Sequence, residues 1–358
     1  MDKVKVGIIG CGNISATYFK NLATFDSVDV AACADIEASR AQAKAEEFGV
    51  RALAVEELLG DPDINIVLNL TVPVSHAAVN LAALAAGKHV YTEKPFAVAR
   101  DDGARTLAAA RAAGLRVGCA PDTVLGGGLQ TCRKLIDDGA IGTPVAAVAF
   151  MPSHGPEAWH PDPEFFYKTG AGPLFDMGPY YLTALITLLG PIERVSASAR
   201  ISFPERLITS QPHSGKQIQV ETPTHVVGLL EFVSGAIGTL LTSFDIWAAN
   251  LPRIEVYGSA GSLSVPDPNI FGGRVQLWQP EVKWQDVALT HPHTENLRGL
   301  GLADMAEAVQ SGHPHRASGD LGFHVLDTMH GILEAARDGR RVQLDSQVAR
   351  PEAMPAAA

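Results

Sequence analysis

The strongest constraint on folding comes within the first fifteen residues, where the apolar run Val4-Lys5-Val6-Gly7-Ile8-Ile9 passes directly into Gly10-Cys11-Gly12-Asn13-Ile14-Ser15. An apolar strand has to turn sharply into a helix here, and glycine lets the backbone turn while its amide groups stay open to an anion at the helix start. The pyrophosphate of a dinucleotide suits such a turn, because a side chain at Gly12 would push the phosphates away. Ser15 stands where a third glycine or alanine is common, and as another small residue it still allows close packing of helix on sheet. The same pattern can be a turn and nothing more, so its meaning depends on the rest of the chain.

Up to about residue 119 short apolar runs alternate with helical stretches, the pattern of a parallel sheet wrapped by helices. Residues 28–34, 64–70, 89–91 and 117–120 read as strands, with an alanine-rich helix at 76–86 that stops at Gly87. A helix at 128–138 closes at Gly139 and opens the second half. Past residue 143 the texture changes to long β-rich segments at 192–202, 224–232 and 236–243, joined by Gly, Pro and Asp turns. Long strands without intervening helices imply an antiparallel sheet. Helices are expected at 175–189, 302–310 and 321–337. The expected fold class is therefore α/β: an amino-terminal doubly wound parallel sheet of Rossmann type, then an α/β domain with a large, mostly antiparallel open sheet. The expected boundaries are 1–122 and 123–348, with a frayed Pro- and Ala-rich tail at 349–358.

A chain of 358 residues suits two domains, and 46% hydrophobic against 19% charged residues is the balance of an ordinary globule. The excess of 39 acidic over 28 basic residues gives a net charge of -11, which argues against nucleic acid or an anionic membrane as partner. No apolar run approaches a membrane span, and a small neutral ligand is easier to accommodate. Cys11, Cys33, Cys119 and Cys132 have no paired spacing and read as buried free thiols of a reducing compartment. A first strand at Val4 leaves no room for a secretion leader, so the expected location is cytoplasmic.

Asp35 ends the second strand, 20 residues after Ser15, where a carboxylate can accept hydrogen bonds from adenosine ribose hydroxyls and repel a 2′-phosphate. This favours NAD over NADP; the plain alternative is a solvated acid opening the next helix. Thr92-Glu93-Lys94-Pro95 follows the strand at 89–91, at the sheet edge where ligands bind. Lys94 there could hydrogen-bond an alcohol oxygen and favour a developing alkoxide, or be a surface lysine before a helix. Asp176 and Tyr180 are four apart, on one face of a helix. A phenol beside a carboxylate and a cation is a proton-transfer group, whereas by themselves the two read equally as an N-cap and a packing aromatic. His154, Glu157 and Trp159 lie in a polar and aromatic loop before that helix and are candidate substrate contacts, Trp159 as an apolar face for a sugar ring. His154 and His160, six apart in a Pro-rich loop with no matching ligand cluster, make a poor metal site, and no metal is expected.

Taken together, the Gly10-x-Gly12 turn, Asp35, Thr71-Val72-Pro73, Gly87-Lys88-His89-Val90 leading to Glu93-Lys94-Pro95, and the Asp176 helix resemble the glucose-fructose oxidoreductase, inositol dehydrogenase and MocA family through nearly the whole chain. The resemblance implies hydride transfer between NAD and a hydroxyl-bearing carbon of a sugar, glycoside or cyclitol. It implies a cofactor-contacting set of Gly10, Gly12, Asn13, Ile14, Asp35, Thr71, Pro73, His76, Glu93 and Lys94. It also implies catalytic and substrate roles for Lys94, Asp176 and Tyr180, and a homodimer or homotetramer built through the carboxy-terminal sheet. Many members carry histidine where this chain has Tyr180; glucose-fructose oxidoreductase is similar to it in carrying tyrosine. Two further readings stay open: a glycosidase that oxidises, eliminates and re-reduces a sugar with no net redox change, and a non-catalytic NAD or ligand sensor.

Overall fold

The computed structural model describes residues 3–356, and the last two positions of the expected tail lie outside the described residues. Its strands and helices run in the order β1 (Val4–Ile9), α1 (Ser15–Leu22), β2 (Val28–Ala34), α2 (Ala38–Phe48), β3 (Arg51–Ala52), α3 (Val55–Gly60), β4 (Ile66–Asn69), α4 (His76–Ala85), β5 (His89–Thr92), α5 (Arg100–Ala113) and β6 (Val117–Cys119). These six strands form one sheet in the order β3-β2-β1-β4-β5-β6, every pairing parallel. Apart from Lys5 and Asn69, β1 and β4 are apolar, and all but Lys5 of their residues are buried, as in strands covered by helices above and below. The strand order reverses beside β1, and the turn Gly10 to Ile14 leaves the carboxyl end of that strand.

The chain continues through α6 (Gly127–Asp137), β7 (Pro144–Pro152), α7 (Gly172–Leu189), β8 (Ile192–Arg200), β9 (Glu205–Leu207), β10 (Gln217–Gln219), β11 (His225–Phe232), β12 (Ile237–Ser243), β13 (Ile254–Gly258), β14 (Ser262–Val265), β15 (Val275–Gln279), β16 (Lys283–Val287), α8 (Leu300–Ser311), α9 (Gly319–Asp338) and β17 (Val342–Gln343). A nine-stranded sheet runs β16-β15-β14-β13-β7-β12-β11-β8-β17, antiparallel except where β7 meets β12. The expected α/β architecture is thus present in both sheets. β9 and β10 pair separately as a short hairpin. Along β11 buried and less buried residues alternate, the signature of a sheet with one covered face. α7 lies on that covered face against β7, β11 and β12; it is apolar nearly all round, and of its residues only Asp176 and Met177 escape full burial.

The chain divides into two compact units: Met1–Leu125 with Asn296–Leu326, and Gly126–Glu295 with Asp327–Ala358. A single cut near residue 122 therefore misplaces residues 296–326, which join the first unit. There Ser318 bridges Gly118 of β6, and Asp122 accepts the Gly299 and Gly301 amides through Oδ2 at 2.8 and 3.0 Å. The tail also departs from expectation up to residue 354. Arg350 donates to the Thr187 and Leu188 carbonyls and to Asp137, and the Met354 amide donates to Gln130 at 2.8 Å. All four cysteines are free and buried. Among the described residues no helix is long and apolar enough to cross a membrane.

Candidate active site

In the first unit the glycine turn is built around two glycines with different reasons for being there. Gly10 has φ +103°, and a Cβ on it would lie 2.6 Å from the Leu70 carbonyl carbon, so the backbone after β4 forbids any side chain. A Cβ on Gly12 would meet nothing within 4 Å. Packing does not require glycine at that exposed position, and the space in front of the start of α1 is open there. Ser15, fully buried, donates to the Gly12 carbonyl at 2.7 Å and seals the helix onto the sheet.

Asp35 stands at the end of β2, where its Oδ2 accepts the Cys11 amide at 2.7 Å and its Oδ1 the Glu37 amide at 2.9 Å. Both bonds hold the carboxylate beside the turn and leave lone pairs for two neighbouring hydroxyls. Ile36 next to it is 94% exposed, and Val72 and Val74 after β4 are 61% and 77% exposed. Three open apolar side chains beyond the ends of β2 and β4, the strands on either side of β1, offer walls for a flat heterocycle, a feature that sequence reading did not single out. The open position at Gly12, the held Asp35 and these walls fit a dinucleotide.

Lys94 follows β5 and is half-buried, with a cis bond to Pro95. Glu93 before it is pinned at both oxygens: Tyr18 donates to Oε1 at 2.7 Å and the Lys94 amide to Oε2 at 2.9 Å. His76, expected as a cofactor contact, is 1% exposed, and its ring nitrogens lie 2.7 Å from the Pro95 carbonyl and 3.0 Å from the Thr71 carbonyl. Burial holds its pKa below the usual histidine range. The ring ties the segment after β4 to Pro95, and both its nitrogens are engaged by backbone carbonyls. Thr71 itself donates to Asn69 at 2.7 Å, while Asn13 and Ile14 are exposed on the turn. Pro73 is half-buried on the segment after β4.

In the second unit α7 begins at Gly172, so Asp176 lies in the helix body and not at its cap. It is half-buried, and Tyr180, one turn on, is 7% exposed. Thr222 and Pro223 abut Gly172 at the helix start, and His225 at the head of β11 pairs with Ser243 at the end of β12. Ser243 in turn sits opposite Pro152 at the end of β7. The first turns of α7 therefore share one edge of the sheet with the segments that leave β7 and β12.

Those two segments are bolted together by Arg206 of β9, which sequence reading overlooked. Its guanidinium pairs with Glu157 through Nε and with Asp245 through Nη1 at 2.9 Å, and Nη2 donates to the His154 and Phe244 carbonyls at 2.6 and 3.0 Å. All three charged groups are buried. Glu157, expected as a substrate contact, is thereby tied to Arg206 through Oε1, while its Oε2 is buried without a hydrogen-bond partner. His154 stacks on Trp247, ring centroids 3.3 Å apart and planes within 17°. Burial, with Arg206 nearby, keeps this imidazole below its usual pKa and neutral at pH 7. Trp159 is 68% exposed and meets His160 edge-on, and His160 packs in the same way on Phe165 and Phe166. Among the described residues no group of three or more His, Cys, Asp or Glu side chains could hold a metal ion.

Family models match both halves of the chain. One, an oxidoreductase family with an NAD-binding Rossmann fold, covers residues 4–120, and the other, the GFO/IDH/MocA C-terminal domain, covers residues 129–264. The chain belongs to the GFO/IDH/MocA family of oxidoreductases. Its first unit contains the NAD-binding Rossmann domain. The chain is 28% identical to 1,5-anhydro-D-fructose reductase of Ensifer adhaerens over 95% of its length and 98% of the relative's. It is 26% identical to myo-inositol 2-dehydrogenase of Thermotoga maritima, covering 96% and 100%. Levoglucosan dehydrogenase in complex with NADH and levoglucosan has the same fold, with a TM-score of 0.83, 21% identity and 96% and 100% coverage.

Proposed function

We propose that this family member is an NAD-dependent dehydrogenase of a secondary alcohol on a sugar, glycoside or cyclitol. The anchored Glu93-Lys94 element carries the reading: Tyr18 and the Lys94 amide fix Glu93, and so set the lysine at the carboxyl end of β5. Bound NAD supplies the hydride acceptor. Gly12 leaves room for its pyrophosphate, Asp35 takes its ribose hydroxyls and disfavours a 2′-phosphate, and Ile36, Val72 and Val74 flank the base. Tyr180 takes the hydroxyl proton, Asp176 orients the hydroxyl, and Lys94 stabilises negative charge on its oxygen. The named substrates of the reductase, the two dehydrogenases and their common fold support a polyhydroxylated ring.

The open face of the nine-stranded sheet supports a homodimer or homotetramer. Ile237 and Trp284 are about half exposed on it, in register with Tyr257 and Trp278 on the strands between, and Leu229 is half exposed one row away. Four free thiols suit the cytoplasm.

Purified protein with NAD and a panel of sugars and cyclitols should accumulate NADH with at least one of them. Lys94→Ala and Tyr180→Phe should each lower kcat by about 10²- to 10⁴-fold with NAD affinity retained. An aglycone released without NADH would point instead to the redox-neutral glycosidase, and a panel giving neither product would sink the enzymatic reading.

A further inference from the structure

Trp247 is 82% exposed, the second most exposed large apolar side chain of the described residues after Ile36. An indole so open costs solvation free energy unless something covers it. One face is fixed against His154, most of the remaining surface is open, and the chain continues as the small residues Ala248-Ala249. The stack is held from beneath. The Ile246 amide donates to the Ser153 carbonyl at 2.9 Å and the Ser153 amide to the Ser243 carbonyl at 3.0 Å, while Arg206 grips both the His154 and Phe244 carbonyls. Phe244 donates to the Thr224 carbonyl at 2.8 Å, linking the same segment to the start of β11 and so to the head of α7. A rigid, one-sided aromatic plate thus stands at the sheet edge that carries Asp176 and Tyr180.

We infer that Trp247 is a stacking platform for a second sugar ring, so that the preferred substrate is a disaccharide or glycoside and not a free monosaccharide. The inference rests on the dehydrogenase reading for the site beside it. The C–H face of a pyranose is flat and apolar with hydroxyls around its rim, which matches a bare indole bordered by polar backbone. Trp159, which meets His160 in a T-shaped contact, is not backed by a parallel ring as Trp247 is.

The test uses the full chain loaded with NAD, with glucose, galactose and myo-inositol set against cellobiose, maltose and lactose. Binding is followed by intrinsic fluorescence and turnover by NADH, for the wild type, Trp247→Ala and Trp247→Phe. The expected result is tighter binding of at least one disaccharide than of its monosaccharide. Trp247→Ala should raise the KM for that disaccharide at least tenfold with kcat within threefold, should change the monosaccharide KM much less, and should be largely rescued by Trp247→Phe. Equal losses for both sugar classes, or no disaccharide binding by fluorescence, would overturn the platform, as would a change in sedimenting mass caused by Trp247→Ala. If sugars bind with this preference but none is oxidised, the platform stands and the dehydrogenase reading fails.

Discussion

The Cys11 amide donates a 2.7 Å hydrogen bond to Oδ2 of Asp35, so the glycine turn after β1 and the acid that ends β2 form one piece. Replacing Asp35 by Ser removes both this brace and the proposed ribose acceptor. Hydrogen bonds to a charged group contribute about 1.5–3 kcal/mol, so NAD affinity should fall roughly 10- to 100-fold. NADP affinity should fall less or rise. Calorimetric titration of both cofactors checks this, and an unchanged ratio of the two dissociation constants would remove Asp35 from the ribose.

The two glycines of the turn should separate stability from binding. Gly10→Ala drives a methyl into the Leu70 carbonyl at an unfavourable φ and should cost about 2–4 kcal/mol, visible as a lower Tm. Gly12→Ala meets open space and should keep its Tm while losing NAD affinity by tenfold or more. A Gly12→Ala protein that binds NAD normally would place the pyrophosphate elsewhere.

The places of both glycines, Asp35 and Lys94 after β1, β2 and β5 were legible in the sequence, because each sits at a strand end whose local pattern announces it. Arg206 was not. It meets Glu157 and Asp245 across 49 and 39 residues of chain, and its neighbours on the hairpin strand say nothing of them. Trp247 and His154 are brought together by the parallel register of β7 and β12 and by the bonds between the segments that leave them. His76 was hard to place for a different reason: a helix-start histidine reads the same whether its ring faces a ligand or, as here, has both nitrogens on backbone carbonyls. The tail misled through composition, since Pro and Ala suggest fraying while Arg350 and the Met354 amide anchor it.

Arg206→Met should destabilise the second unit by about 3–5 kcal/mol, because Glu157 and Asp245 would remain buried without their shared cation. Arg206→Lys supplies one charge but cannot reproduce the fork that reaches four acceptors, so it should recover only part of the loss. Chemical denaturation of the three proteins gives the comparison.

Burial pushes the Asp122 carboxyl up to about 6, against a usual value near 3.8. Between those values the folded protein binds a proton that the unfolded chain does not, so this group's contribution to stability falls as pH rises from about 4 to 6 and is flat above. Asp122→Asn removes the titration while keeping an oxygen for the Gly299 and Gly301 amides. The Tm of the variant relative to wild type should therefore climb over that interval and level off near neutrality. A constant difference from pH 4 to 8 would contradict the raised value.

The return of residues 296–326 to the first unit has a consequence for biosynthesis. On the ribosome the Rossmann sheet is finished at residue 119, yet Ser318 and the Asp122 partners emerge only after the whole of the second unit's large sheet has been made. At about 5–20 residues per second, the roughly 200 intervening residues take about 10 to 40 s. For that interval the nascent amino-terminal half carries an unsealed edge at β6, and a message broken before codon 326 would yield a cofactor-binding half that never closes.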